Sequence, residues 1–180
     1  MSKFENSLTS LNNEYDICVI GELQTGKTSL ILQYVHHKFV EELDSAVEEL
    51  YVKVFRKGTS YNEISILDTS SNQDNYTSTR KKQLFNTSVV LFVYDITDRN
   101  SFLAVEENLE RIKNITGELP PFALAGLKSD LEFERQVSYE EAKLLAYSLG
   151  ALNFAEASAK ENSGIDDIFK PLVTRIIDYK

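Results

Sequence analysis

Tryptophan is missing from this 180-residue chain, cysteine and methionine occur once each, and there are only 3 prolines and 7 glycines. A single cysteine, Cys18, cannot close an internal disulfide, so the fold has to be held by its own core. No apolar run approaches the ~20 residues of a membrane helix. The opening stretch MSKFENSLTSLNNEYD has no apolar centre of the kind a secretory signal needs. Ser2 breaks the myristoylation pattern, and the closing residues Asp178-Tyr179-Lys180 offer no cysteine for prenylation or a membrane anchor. The expected setting is therefore cytoplasmic, with Cys18 a reduced thiol. Basic charge is scarce too: 19 Lys+Arg against 28 Asp+Glu leave a net −9. That balance argues against nucleic acid or anionic lipid as a broad partner, while leaving room for one phosphate in a small local site.

What is there is an ordinary globular mixture, 42% hydrophobic and 26% charged, which excludes wholesale disorder, collagen and coiled coil. A chain of this length buries roughly 70% of its unfolded surface and needs no staple. The first 14 residues read as a flexible polar arm, and residues 15–180 as one domain without repeat or linker.

Tyr15 to Ile20 reads as a strand and residues 27–37 as a helix with Leu30, Ile31, Tyr34 and Val35 on one face. Leu50, Val52 and Val54 alternate, as do Ile64 and Ile66, with Lys57-Gly58-Thr59-Ser60 between them, the pattern of a hairpin. Val89 to Tyr94 and residues 122–127 are continuous apolar runs of the buried parallel-strand type. Phe102, Val105, Leu109 and Ile112 follow helical spacing, and Ser138 with Glu141 forms a capping box before a helix over 139–149. Asn153 and Phe154 fall in a last short strand. A stripe from Ile165 to Ile177 marks a final helix, which Pro171 should kink or delay. The alternation predicts an α/β fold: a mostly parallel six-stranded sheet with one antiparallel hairpin edge and about five helices on both faces. Ligands of such sheets sit at the carboxyl ends of the strands.

One such end carries Gly21-Glu22-Leu23-Gln24-Thr25-Gly26-Lys27-Thr28, a complete GxxxxGK[ST] between a predicted strand and a predicted helix. Loop and helix N–H groups in that arrangement point at an anion. Lys27 adds a point charge for the β- and γ-phosphates, and the Thr28 hydroxyl can bind Mg²⁺. A second metal-side group follows from Ile64-Ser65-Ile66-Leu67-Asp68, an apolar strand ending in Asp, with Asp68 reaching the metal through water.

From about Tyr15 to Ile177 the chain resembles the Ras-like small GTPases, and within them the Rab branch. Asp68-Thr69 is similar to the start of DTAGQ. Val93-Tyr94-Asp95-Ile96-Thr97 with Ser101-Phe102 is similar to the Rab VYDIT…SF segment. Leu127-Lys128-Ser129-Asp130 stands where that family has NKxD, and Glu156-Ala157-Ser158-Ala159-Lys160 resembles ETSAK. The resemblance implies a G domain of the P-loop NTPase class that binds GTP and GDP with Mg²⁺. It implies phosphate contacts from Glu22 to Ser29. It implies that Asp130 accepts from the guanine N1–H and 2-amino groups, and that the Lys128 stem covers one face of the base. It places the Ala159 N–H at guanine O6, with Ser158 and Lys160 shaping that loop and Phe39 against the base. Residues 38–50 and 68–82 would meet effector and regulator proteins.

The departures from the family pattern bear on mechanism. Leu127 replaces the Asn of NKxD, removing hydrogen bonds worth about 0.5–1.5 kcal/mol each, while bonds to the charged Asp130 are worth about 1.5–3 kcal/mol. Weakened guanine binding is therefore expected. Leu23 stands at a loop position that is usually Gly, and implies crowding at the γ-phosphate and a poor response to an arginine finger, a group worth about 10³–10⁵ in rate. Ala46 stands where the first switch has its metal-binding Thr, with Ser45 beside it, and Ser71 replaces the Gly of the second switch. Simple counting puts Asn72 at the catalytic glutamine position; with one inserted residue it is Gln73, which we take together with Lys27 as the catalytic pair. Slow GTP hydrolysis is the expectation, with an inactive GTPase fold serving as an interaction module the alternative. His36-His37 and Arg80-Lys81-Lys82 read as solvated helix positions, and Cys18 as core.

Overall fold

The computed structural model describes residues 14–41, 47–70 and 78–180. The elements run β1 (Tyr15–Ile20), α1 (Lys27–His36), β2 (Glu49–Lys57), β3 (Ser60–Asp68), α2 (Ser78–Phe85), β4 (Thr87–Asp95), α3 (Arg99–Thr116), β5 (Phe122–Leu127), α4 (Tyr139–Ser148), β6 (Phe154–Ala157) and α5 (Ile165–Tyr179). They build a six-stranded sheet in the order β2-β3-β1-β4-β5-β6, in which only the β2–β3 hairpin is antiparallel.

The period of two in each buried strand divides the core into two layers. Ile17, Val19, Val89, Leu91 and Val93 face α1 and α5. Cys18, Ile20, Val90, Phe92 and Tyr94 face α2, α3 and α4. Continuous apolar runs are what a strand covered on both faces requires. The predicted helix faces are buried, with Val35 and Ile177 partly so at their edges, whereas on the edge strand β2 the alternating Leu50, Val52 and Val54 are exposed and it is Tyr51 and Phe55 that pack on the core. Helices α1 and α5 lock through Tyr34 stacked on Phe169 at 3.9 Å between ring centroids. Burial pushes the Cys18 thiol up to about 12, so it stays neutral as a packing group.

Three local expectations are refined, and one cap is added. Pro171 neither breaks nor delays α5. A proline lacks the N–H that would bond the carbonyl four residues earlier, and the orphaned Asp167 carbonyl accepts instead from Asn153 Nδ2 at 2.8 Å. Asn153, just before β6, therefore satisfies the carbonyl that Pro171 leaves open inside the helix. The Ser138 box is half formed: Ser138 Oγ accepts from the Glu141 N–H at 3.2 Å, while the Glu141 carboxylate turns to Arg99 on α3. Asp98 supplies a further N-cap, accepting from the Asn100 N–H at 2.9 Å, at the start of α3. Arg80 is not solvated. It is buried, donating to Glu48 at 2.9 Å and to Gln83 at 3.1 Å, while Lys81 and Lys82 are exposed. A basic run of three has one inward member because α2 turns 100° per residue. No helix among the described residues is long and apolar enough to cross a membrane.

Candidate functional site

The segments that follow β1, β5 and β6, with the start of α1, open onto a cleft of 830 Å³. Its first wall is the loop between β1 and α1. The loop fits tightly against the sheet: a Cβ on Gly21 would lie 2.5 Å from the Val93 carbonyl oxygen, so only glycine passes there. Gln24 at φ +60° and Gly26 at φ +101° curl the chain into the left-handed region before α1 begins. Lys27 folds back across this curl, donating to the carbonyl oxygens of Gly21 and Glu22 at 2.9 Å each. The Thr25 hydroxyl donates to the Glu22 carbonyl at 2.9 Å. The loop is thus held by its own side chains, leaving the first N–H groups of α1 at the cleft.

Two buried charges meet beneath the loop. Lys27 is 2% exposed, and burial lowers its pKa to about 8 against the opposing pull of Asp68 and Glu22. Asp68, at the end of β3, is also 2% exposed, and burial raises its carboxyl to about 6 despite the Thr28 hydrogen bond and Lys27. Thr28 Oγ1 donates to Asp68 Oδ2 at 2.5 Å, while Asp68 Oδ1 is buried with no hydrogen-bond partner. An orphaned carboxylate oxygen beside a hydroxyl fits a hard divalent cation, which binds through one or two protein oxygens plus ligand phosphates. No group of three or more His, Cys, Asp or Glu gathers among the described residues. Thr69 is turned away, its hydroxyl donating to the Val19 carbonyl at 2.7 Å.

The second wall comes from the loops after β5 and β6. Asp130 Oδ1 accepts from Ser158 Oγ at 2.6 Å, and Ser158 is fully buried and itself accepts from the Glu161 N–H at 3.0 Å. One carboxylate oxygen is thereby fixed in direction, which suits recognition of paired N–H donors on a ligand edge. Lys128, Ala159 and Lys160 line the cleft beside Asp130, and Phe39 lies half exposed at its border.

Of the predicted nucleotide-contacting residues, Gln24, Gly26, Lys27, Thr28, Ser29, Phe39, Lys128, Asp130, Ala159 and Lys160 all line this one cleft. Glu22, Thr25 and Ser158 do not line it but hold its walls. Leu23 is 58% exposed and is not among the residues that line the cleft. Ser45, Ala46, Ser71, Asn72 and Gln73, like the arm over 1–13, lie outside the described residues.

Two features escape motif reading. Leu127 is not merely a lost hydrogen-bonding side chain. It is buried in the lining of the cleft, its Cδ1 3.6 Å from where a Gly26 Cβ would stand, so an apolar side chain lies beside the opposite wall. Lys128 sits at φ +63° with its ammonium 2.5 Å from Asp95 Oδ2. The only sequence signal for that pairing is that Asp95 closes an otherwise apolar strand.

The Ras family profile matches residues 16–178. The chain is 33% identical to the Ras-like protein rasU of Dictyostelium discoideum over 177 residues, covering 98% of this chain and 82% of that one. It is 36% identical to the Ras-like protein 1 of Saccharomyces cerevisiae, covering 92% of this chain and 53% of that one. With the GTP-binding protein Rheb of Mus musculus the identity is 32%, over 87% of this chain and 85% of the other.

Proposed function

The chain belongs to the Ras family of GTP-binding small GTPases, and from that premise we propose that the cleft holds GTP or GDP with Mg²⁺ and hydrolyses GTP slowly. The observation that carries this reading is one 830 Å³ cleft with Gly26, Lys27 and Thr28 on one wall and Asp130 on the other. That volume lies in the range of small-molecule sites, roughly 300–1,000 Å³. The loop N–H groups and the Lys27 ammonium bind the phosphates, and the Asp130 carboxylate selects guanine by accepting from its N1–H and 2-amino groups. Adenine presents an acceptor at N1 and is repelled.

Thr28 and Asp68 are the residues that would hold Mg²⁺, whose chemistry is to neutralise charge on the phosphate oxygens. Lys27, already desolvated, adds fixed positive charge where the leaving phosphate oxygens gain negative charge, so catalysis is positioning and electrostatics. The nucleophile is water, attacking the γ-phosphate in line, with Gln73 as its orienting residue. Leu23, Ala46 and Ser71 support a slow step, because each removes a small or liganding residue from that end. Leu127 supports a reduced affinity for the base.

Residues 38–50 and 68–82 are the proposed surface for effector and regulator proteins. Exposed Leu50, Val52 and Val54 on β2 extend that surface as an apolar stripe. The segment from Val93 to Thr97 with Ser101-Phe102 supports placement near the Rab branch, and with it a role in vesicle trafficking or signalling, in a cytoplasmic setting. In the fold these residues build a turn: Asp95 Oδ1 accepts from the Thr97 N–H and hydroxyl, and Ser101 Oγ accepts from the Asp95 N–H. A second reading, a GTPase fold acting only as an interaction module, draws on Leu127, whose apolar side chain lies beside Gly26 of the opposite wall without any ligand.

The test is to purify the protein without added nucleotide, denature it, and identify and count the nucleotide released. Phosphate release from Mg²⁺–GTP is then followed in single turnover. Near one guanine nucleotide per chain with slow phosphate release supports the first reading. Bound guanine nucleotide without phosphate release supports the interaction module. A chain that is empty and takes up neither GTP nor GDP overturns nucleotide binding itself.

A further inference from the structure

We infer that Asp95 is a positioning residue for the nucleotide, acting through Lys128. It pins the lysine ammonium away from the phosphates and holds the aliphatic stem as a fixed wall of the cleft. The inference rests on the reading that this cleft binds a guanine nucleotide, and it adds a residue outside the loops that touch the ligand.

Asp95 is the last residue of β4 and is buried at 6% exposure. Its two carboxylate oxygens are divided between two tasks. Oδ1 accepts from the Thr97 N–H at 2.8 Å and the Thr97 hydroxyl at 2.7 Å, which fixes the carboxylate plane. Oδ2 lies 2.5 Å from Lys128 Nζ. Lys128 in turn occupies φ +63°, a region lysine rarely adopts and keeps only where its surroundings determine it. Those surroundings are on both sides of it: the Leu131 N–H donates to the Lys128 carbonyl at 2.9 Å, and the Ser129 N–H donates to the Ala157 carbonyl at 3.2 Å. With backbone and ammonium both fixed, the stem crosses the cleft wall, its Cε 3.9 Å from where a Gly26 Cβ would stand.

The consequence is chemical. A free lysine beside a triphosphate would swing toward the phosphates, and ordering its several rotatable bonds would count against binding. Here the charge is already neutralised and the rotamer already set. What remains for a ligand is a stretch of CH₂ groups against which a planar base can lie. Asp95 therefore acts on the base portion of a nucleotide and leaves the phosphate portion alone.

Asp95→Asn keeps an acceptor for Thr97 and removes the charge that holds Lys128. GDP and inorganic tripolyphosphate, each with Mg²⁺, are titrated into the full chain, wild type and variant, by calorimetry. The expected result is an affinity for GDP weakened about tenfold in the variant, with tripolyphosphate changed less than about twofold. In a Lys128→Met background the Asp95→Asn change should no longer weaken GDP, because the residue acts only through the lysine. Equal GDP affinity in wild type and Asp95→Asn overturns the inference, as does an equal loss for both ligands or a persisting effect in Lys128→Met. If Asp95→Asn fails to fold, Thr97→Val, which loosens the same carboxylate, must show the same selective loss of GDP at smaller size. Wild-type protein that binds no GDP overturns the underlying reading instead.

Discussion

The two ends of the cleft treat charge in opposite ways. At the phosphate end, Lys27 and Asp68 are buried at a cost: the lysine is pulled down to about 8, the carboxylate pushed up to about 6, and Asp68 Oδ1 has no hydrogen-bond partner. At the base end the charges are answered inside the protein, Asp130 by Ser158 at 2.6 Å and Lys128 by Asp95 at 2.5 Å, and the apolar Leu127 lies beside Gly26. At the phosphate end burial weighs against both charges, and one carboxylate oxygen, Asp68 Oδ1, has no hydrogen-bond partner. The base end is organised in advance and gains shape complementarity more than new charge pairing. On the proposed reading, then, most of the affinity should reside in the phosphates, with Asp130 proposed to decide which base is accepted.

The sharpest way to break this contrast is Lys27→Ala. It removes the ammonium that donates to the loop carbonyls and that, on the proposed reading, makes two charge-assisted bonds to phosphate oxygens, worth about 1.5–3 kcal/mol each. Affinity for GTP by calorimetry should fall by about 10³-fold; a loss under tenfold would place the affinity at the base end and reverse the contrast.

Next is a pH profile of urea denaturation on the nucleotide-free, metal-free protein. The Asp68 carboxyl rises from 3.8 in the unfolded chain to about 6 in the folded one, so the folded state binds more protons across that window. Stability should therefore fall as pH rises from about 4 to 6, by up to about 3 kcal/mol. Lys27 runs the other way: lowered from 10.5 to about 8, it makes stability rise with pH between those values. The profile should show a trough between about pH 6 and 8, and Asp68→Asn should erase its acid limb. A flat profile in wild type would mean that the phosphate end carries no such burden.

The smallest effect sharpens the base end. Leu127→Asn places an amide where the buried leucine packs on Gly26, so the melting midpoint of nucleotide-free protein should drop, at a cost of about 2 kcal/mol. GDP affinity should rise about tenfold as one or two hydrogen bonds return. A lower affinity for GDP would show that the apolar lining itself is what the base requires.

How much of this could be read along the chain depends on the range of the forces involved. The strands and helices follow from local pattern, since periods of two and 3.6 decide which side chains can share a face. The phosphate loop is legible because its chemistry is main-chain geometry: glycines at Gly21 and Gly26 and a lysine one residue on describe a curl that needs few distant partners. Asp130 and Ser158 could be named, each from its own motif, but not the bond between them. What lies beyond the chain's local reach was missed or only half seen. Arg80 reads as a surface base until Glu48, 32 positions earlier, is folded against it. Pro171 reads as a helix breaker until Asn153 is brought to the carbonyl it strands. Leu127 reads as a deletion until Gly26 is laid beside it.

The sequence by itself determined the class of fold, the glycine-bounded loop after β1 and most of the residues that line the cleft, because these follow from short-range spacing and side-chain chemistry. Only the tertiary structure decided which charges are answered and which are left waiting. Whether an Asp at this site finds a serine, a lysine or a threonine depends on which strand ends the sheet order sets side by side. Desolvation, the largest influence on Lys27 and Asp68, does not exist until those strands have closed over them.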